Sequence, residues 1–241
     1  MGNTRRRLRR VHKLTNLTRV ADYRRALRLG VAAAVEHEAV AFRDSYLTVI
    51  DVGAHHGQFA IFAAHRFSNA RIICVEPLSS ARDHLFRVIP RDALVLPVAA
   101  SDVAGTREFH VSRRTDSSSL LPITGNCTTA FPGTEEERLT LVRTVRLDEI
   151  IAARDIERPA LLKIDVQGSE LQVLRGAAGL LETIDTLLVE CSFVEFYAGQ
   201  ALIGDVVAEV LTLDFRLAGV YSVVRDARGR CLQADLLFER Q

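Results

Sequence analysis

Cysteine is scarce in this chain of 241 residues, and Cys74, Cys127, Cys191 and Cys231 show no C-x-x-C or finger-like spacing. That excludes a zinc-finger or disulfide-framework protein, and the four read as small buried hydrophobes in a reducing compartment. Long apolar runs are lacking too: no stretch approaches eighteen uninterrupted apolar residues, and no apolar segment follows the basic amino terminus as it would in a secretory signal. A transmembrane segment is not expected, and a cytoplasmic location is. Neither sign of charge dominates, because 31 Lys and Arg face 30 Asp and Glu. A globally basic surface for nucleic acid is therefore not implied. No long linker divides the chain, so its length reads as one α/β domain with a substantial core.

What is present centres on residues 46–59, YLTVIDVGAHHGQF. An apolar run ends in Asp51-Val52-Gly53-Ala54-His55-His56-Gly57, after which Ala60, Ile61, Ala63 and Ala64 recur with helical periodicity. This pattern predicts a buried strand, a glycine turn and a helix, arranged where open α/β sheets bind ligands. The next apolar run ends in Glu76-Pro77. A carboxylate at that neighbouring strand tip can accept both hydroxyl hydrogens of a ribose. The turn has Gly53 and Gly57 as G-x-x-x-G and lacks the third glycine of a dinucleotide fingerprint. With Asp51 just ahead of it, the turn suits a ligand carrying an ammonium and a sulfonium better than a pyrophosphate. S-adenosylmethionine is such a ligand, with Asp51, Gly53, Ala54, His55, Gly57, Glu76 and Pro77 as its expected contacts. A turn with glycines for steric reasons alone is the plainer alternative.

Strands and helices then alternate, as in βαβ units of a largely parallel sheet. Helices are expected at 60–67 and 80–89, the second capped by Ser79 or Ser80, with strands at 70–75 and 93–98. Asp102, just past the third strand, could meet an adenine amino group or could be a turn residue ahead of Gly105. Strands at 106–111 and 141–147 flank a long irregular segment, 112–140, expected to be a substrate lid because so long a structureless stretch is uncommon in a compact domain. The apolar run 160–164 ends in Asp165, and 186–190 ends in Glu190, a carboxylate that seldom closes such a run without a partner or a task. A helix at 203–211 and a hairpin at 215–224 and 231–238 close the chain.

Before the first strand, Arg5-Arg6-Arg7-Leu8-Arg9-Arg10 with His12 and Lys13 is the densest charge. It could meet an acidic substrate, an anionic membrane surface or RNA, but no aromatics interleave it, and a solvated, frayed tail is the reading taken. From Asp22 to Arg43 a helical pattern follows, which could roof the ligand cleft. Residues 1–45 thus form a basic segment and helix ahead of a domain at 46–241, with the lid inserted at 112–140.

These motifs resemble the FkbM family of S-adenosylmethionine-dependent methyltransferases. The carriers are Asp51 to Phe59, Val75-Glu76-Pro77, Leu162-Lys163-Ile164-Asp165-Val166-Gln167-Gly168-Ser169-Glu170 with Val173 to Ala177, and Val189-Glu190-Cys191-Ser192 followed by Tyr197. His55 departs from the asparagine usual there, and would make that contact pH-sensitive. The resemblance implies an α/β, Rossmann-like class I methyltransferase fold: a mostly parallel seven-stranded sheet with a C-terminal antiparallel hairpin. It also implies O-methylation of a hydroxyl on a sugar, glycolipid or secondary metabolite.

Methyl transfer from a sulfonium is an in-line displacement that needs alignment and loss of the hydroxyl proton. Asp165 and Glu190 are the expected catalytic pair. Asp165 could instead hold the donor's ammonium, and Glu190 could pair with Arg113 or Arg114. The same two carboxylates could hold a Mg²⁺. His56 and His110 are weaker base candidates, and Glu170 stands behind the pair. Competing readings are an N- or macromolecule methyltransferase, disfavoured by the absence of an Asn/Asp-Pro-Pro-aromatic tetrapeptide; a dehydrogenase, disfavoured by the glycine pattern; and a non-catalytic ligand-binding scaffold.

Overall fold

The structure, a computed structural model, describes residues 17–241, so the basic run at 5–13 lies outside the described residues. Seven strands form the main sheet in the order β3-β2-β1-β7-β8-β10-β9. These are β1 Thr48–Val52, β2 Arg71–Val75, β3 Leu94–Leu96, β7 Ala160–Ile164, β8 Thr186–Ser192, β9 Phe215–Arg225 and β10 Cys231–Arg240. The first five pair in parallel, and β10 runs antiparallel to both β8 and β9, giving the expected C-terminal hairpin. A three-stranded sheet, β4 Ala99–Ala100, β6 Glu136–Val145 and β5 Gly105–Ser112, stands beside it. The helices are α1 Ala21–Arg28, α2 Gln58–Arg66, α3 Ser79–Val88, α4 Gly125–Ala130, α5 Leu147–Ile150, α6 Glu170–Gly176, α7 Ala178–Leu181 and α8 Ile203–Leu211.

The parallel strands form from short β-branched runs because both of their faces are covered. Ile50, Val52, Ile73, Val75, Leu162 and Ile164 pack with Val173, Leu174, Leu180, Val206 and Val210 from α6, α7 and α8. The alternate residues Val49, Ile72, Cys74, Leu161 and Leu188 pack under Phe59, Ala60, Phe62 and Ala63 of α2. Full burial of each such aliphatic side chain contributes about 1.5–3 kcal/mol. The period-two alternation has a chemical consequence. Asp51 and Lys163, register partners on β1 and β7, share the α2 face with Val49 and Leu161.

Four expectations change. The pattern from Asp22 to Arg43 is not one helix: α1 stops at Arg28, Gly30 turns the chain at φ +83°, and a 3₁₀ turn follows at Val35–Ala39. The strand expected at 93–98 shortens to Leu94–Leu96, and just beyond it Ala99 and Ala100 form an unexpected strand that leaves the main sheet to pair with Thr144 and Val145 of β6. The stretch 112–140 is not structureless: β5 reaches Ser112, β6 begins at Glu136, and α4 lies between, capped by Thr124, whose hydroxyl accepts the Cys127 N–H. Ser79 and Ser80 do not cap α3, where the Leu78 N–H is instead taken by Glu76 Oε1 at 2.8 Å.

Candidate active site

Chain order reverses direction across the sheet at β1, whose neighbours are β2 and β7, and the crevice opens at their carboxyl ends. Register sets Val52 beside Val75 and Ile164, so Gly53, Glu76 and Asp165 leave the sheet together. Gly53 has φ +79°, and a Cβ on it would lie 1.8 Å from the Asp165 carbonyl oxygen, so only glycine lets these two strand ends close up. The N–H groups of Gly53 and Ala54 both donate to Val75 O, at 3.0 and 3.1 Å. His55, at φ +46°, donates its N–H to Glu76 Oε2 at 2.9 Å. Gly57, at φ +91°, then opens α2 with no room for a Cβ beneath Leu85.

Two cavities flank this turn. The smaller, about 50 Å³, is a slot between Gly53, Glu76, Pro77, Val98, Ala99 and Leu120, with Thr115 and Ser118 at its outer wall. Each Glu76 oxygen accepts one backbone N–H and keeps a lone pair for another donor. Burial pushes the Glu76 carboxyl up to about 7, against the pull of the Leu78 and His55 N–H groups and Arg82. His55 Nε2 lies 2.8 Å from the Thr115 hydroxyl, and burial with the neighbouring His56 lowers the imidazole to about 4.

The larger cavity, about 320 Å³, shares Gly53, His55, Asp116, Asp165 and Gln167 with the slot and extends to Glu190, Phe196, Tyr197, Glu36, His37 and Gln233. Along its floor runs a row of charge. Lys163, 6% exposed, has its ammonium 3.1 Å from Asp51 Oδ1 and 3.4 Å from Asp165 Oδ2. Gln167 Nε2 then lies 2.8 Å from Asp165 Oδ1 and 2.8 Å from Glu190 Oε2, and Gln233 adds a 3.3 Å contact to the latter. The two carboxyls are driven apart. Burial raises Asp165, but Lys163 and the Gln167 amide outweigh it and hold this carboxyl below the ordinary carboxylate range. Burial, then the charges of Asp165, Asp235 and Glu170, push Glu190 well above that range. Asp51 is raised by burial against the pull of Lys163. Lys163 keeps its proton firmly, because Asp165 and Asp51 overcome its desolvation.

Residues 51–217 match the Methyltransferase FkbM domain. The chain belongs to the FkbM methyltransferase family. It is 32% identical over 190 residues to 31-O-demethyl-FK506 methyltransferase FkbM of Streptomyces tacrolimicus, covering 66% of this chain and 69% of that one. It is 26% identical over 143 residues to hexuronic acid methyltransferase AglP of Haloferax volcanii, covering 58% of this chain and 54% of AglP. The chain thus spans about half the length of that relative. A Listeria monocytogenes structure assigned as an S-adenosylmethionine-dependent methyltransferase superposes with a TM-score of 0.50 at 10% identity, over 86% of this chain and 99% of that one. The fold is the Rossmann-like class I methyltransferase fold.

Within this FkbM domain the expected site residues separate by position. Gly53, Ala54, His55, Glu76, Pro77, Asp165 and Glu190 line one cavity or both. Asp51 lines neither; strand alternation points it beneath α2, where it neutralises Lys163, and Gly57 is spent on the helix turn. Asp102 lies in a separate surface depression with Thr106, Thr144 and Gln172, its carboxylate taking the Ser101 hydroxyl. Arg113 and Arg114 do not pair with Glu190: its partners are Gln167 and Gln233, while Arg114 reaches Asp116 at 3.3 Å. His56 stacks on His55 and packs against His84, and His110 pairs with Glu136; neither lines either cavity. Glu170, 3% exposed, accepts the N–H of Gly168 and Val166 and braces the turn that carries Gln167. The Mg²⁺ alternative gains no support, since an amide donor already bridges the two carboxylates.

Four residues of this site were not singled out by their patterns. Lys163 carries a visible signal, a lysine inside the otherwise apolar run Ala160–Ile164. Gln167 sits in a turn at φ +58° and has no signal beyond the motif around it. His37 and Gln233 come from opposite ends of the chain and outside residues 51–217. Among the described residues no helix is long and apolar enough to cross a membrane.

Proposed function

We propose that this chain is an S-adenosylmethionine-dependent O-methyltransferase acting on a small-molecule or carbohydrate hydroxyl, of a sugar, glycolipid or secondary metabolite. The observation that carries this reading is the meeting of two unlike cavities at Gly53 and Asp165, one a narrow apolar slot with a carboxylate, the other wide and lined by acids and aromatics. The slot suits an adenosine: Val98, Ala99 and Pro77 give it apolar walls, and the open lone pairs of Glu76 match two ribose hydroxyls. Gly53 lines both cavities and so marks the passage from slot to cavity. When bound, S-adenosylmethionine supplies an electrophilic methyl carbon at that passage. The relatives methylate, by their names, a hexuronic acid and a demethylated macrolide, and a hydroxyl-bearing acceptor is proposed on that likeness.

The chain's own residues then divide the work. Asp165, held ionised by Lys163 and Gln167, faces the passage with the charge that an ammonium or sulfonium prefers. Glu190, with its raised proton affinity, accepts the acceptor's hydroxyl proton as oxygen bonds to carbon. Two carboxyls whose environments push them apart are the usual division between a fixed charge and a proton carrier. The segment 113–135 forms the outer wall of both cavities through Thr115, Asp116 and Ser117, and excludes water when seated. Its amide hydrogen exchange should slow when acceptor and S-adenosylhomocysteine are bound together.

The decisive test incubates the protein with donor and fractionated small-molecule and glycan extracts, following a mass gain of one methylene that depends on donor. A hydroxyl methyl ether in the isolated product supports the reading, a methylated nitrogen replaces it, and no product with any hydroxyl class alongside undetectable donor binding overturns it.

A further inference from the structure

We propose that Gln167 is a positioning residue for methyl transfer, its side-chain amide holding Asp165 and Glu190 by one N–H each while its opposite end, through Tyr197, ties the pair to the outer wall. The orientation of the amide is fixed by its neighbours. Both N–H groups are used, on Asp165 Oδ1 and Glu190 Oε2, each at 2.8 Å. Oε1 accepts the Tyr197 hydroxyl at 2.7 Å. A flipped amide would set its oxygen against two carboxylate oxygens and two donors against one phenol. The backbone is committed as well. Gln167 has φ +58°, uncommon for a residue with a side chain, and its carbonyl accepts the Ser119 hydroxyl at 2.6 Å. Strain of this kind persists where surroundings over-determine it, and it clusters at working sites.

Tyr197 is the second half of the device. It is 1% exposed, packed on Gly168, and its hydroxyl also lies 3.0 Å from Ser117 O. Ser117 and Ser119 both belong to the segment forming the outer wall. The phenol has one hydrogen, shared between Gln167 Oε1, the nearer acceptor, and Ser117 O in a three-centre bond, so seating that segment places the phenol, the phenol orients the amide, and the amide presents its two hydrogens to the carboxyls. The groups facing Glu190 are Lys163 from β7 and Asp165 just past its end, Glu170 from α6 and Asp235 from β10, with His37 and Glu36 across the wide cavity. In that mostly acidic company, the amide hydrogens of Gln167 and Gln233 are the neutral donors that favour the charged form of Glu190.

The proposal rests on the methyltransferase reading for its chemistry, and its test has one arm that does not. In protein labelled with ¹³C-glutamate, the Glu190 carboxyl resonance is identified by its loss in Glu190→Gln and titrated in the parent, Gln167→Met and Tyr197→Phe proteins. Methionine keeps the length and removes both donors, so the Glu190 midpoint should rise by about one to two pH units. Tyr197→Phe should give a smaller rise, with faster amide exchange at 117–119. In the catalytic arm, the acid limb of single-turnover methyl transfer, measured at saturating donor, should move up by the same interval in Gln167→Met. A folded Gln167→Met protein with an unmoved Glu190 titration overturns the proposal, as does a rate lost equally at every pH. Unchanged titration and exchange in Tyr197→Phe overturn the tie to the outer wall. A Glu190 titration that moves while the rate profile stays put would uphold the grip of Gln167 and remove Glu190 as the proton acceptor.

Discussion

The slot and the wide cavity both end at the same glycine, yet they are built in opposite ways. In the slot, one carboxylate does the polar work, held by two backbone N–H groups that any sequence would supply. At the cavity, polar work is shared along a chain of side chains that starts beneath it, Asp51 to Lys163 to Asp165 to Gln167 to Glu190, in which ion pairs and hydrogen bonds link each member to the next. A backbone-held group is fixed by the fold and tolerates little variation in its ligand. A side-chain row sets protonation states, and each of its members is exposed to single substitutions.

The contrast can be broken by substitutions, the largest effect first. Glu190→Gln keeps the shape and removes the proposed proton acceptor, so single-turnover transfer at saturating donor and acceptor should fall by about 10²–10⁴-fold. Donor affinity by calorimetry should stay within about threefold; an equal loss of affinity would place Glu190 on the donor side instead. Lys163→Met leaves Asp51 buried, and the partly exposed Asp165, without their cation, which should cost about 3–5 kcal/mol in denaturant unfolding, most of it through Asp51. Adding Asp51→Asn should recover part of that loss, and strict additivity of the two would show that they do not form a unit.

On the slot side effects should be smaller. Glu76→Gln should weaken S-adenosylhomocysteine binding by about tenfold, through loss of charge-assisted bonds to the ribose. The parent makes a sharper prediction. With its pKa raised to about 7, Glu76 contributes stability that is present below its ordinary 4.5 and lost as pH rises through 7. Ribose hydroxyls favour the ionised form, so binding near pH 7 should release protons, and affinity should climb as pH passes 7. Calorimetry in buffers of different ionisation enthalpy measures that release, which should vanish in Glu76→Gln. Smallest of all is His55→Asn, since asparagine also accepts the φ +46° turn. His55, lowered to about 4, contributes stability present above its ordinary 6.5 and lost as pH falls through 4. The variant should match the parent within about 0.5 kcal/mol near pH 7 and lose less stability than the parent on acidification to pH 4.

Much of the fold was legible because strand identity is written locally. The runs ending at Val52, Val75 and Ile164 are short, apolar and closed by turn residues, and each became a strand. Glu76, Asp165 and Glu190 were legible for the same reason, as polar residues at the ends of apolar runs. The failures share another cause. Ala99 and Ala100 form a strand only because Thr144 and Val145 lie beside them, a partnership 45 residues distant that leaves no mark at either end. The helix read across Asp22 to Arg43 ignored Gly30, where a positive φ outweighs the apolar period. Asp51 was misjudged in role because alternation along β1 sends it under α2 and not toward the turn. Gln167 could not be seen at all, since its meaning lies in a bridge between two strands.

The wide cavity takes Glu36 and His37 from before the family region and Gln233 from after it. His37 is wedged edge-on against Phe59 of α2, its Nδ1 on Ala34 O at 3.1 Å, so this border is firmly attached to the turn it overlooks. Substitutions in the flanking stretches can therefore remodel the rim of the chamber without touching the glycine turn or Glu76. Relatives of similar central sequence can part company at their margins, and chimaeras that exchange only residues before 46 and after 217 are the natural material for moving a preference from one to another.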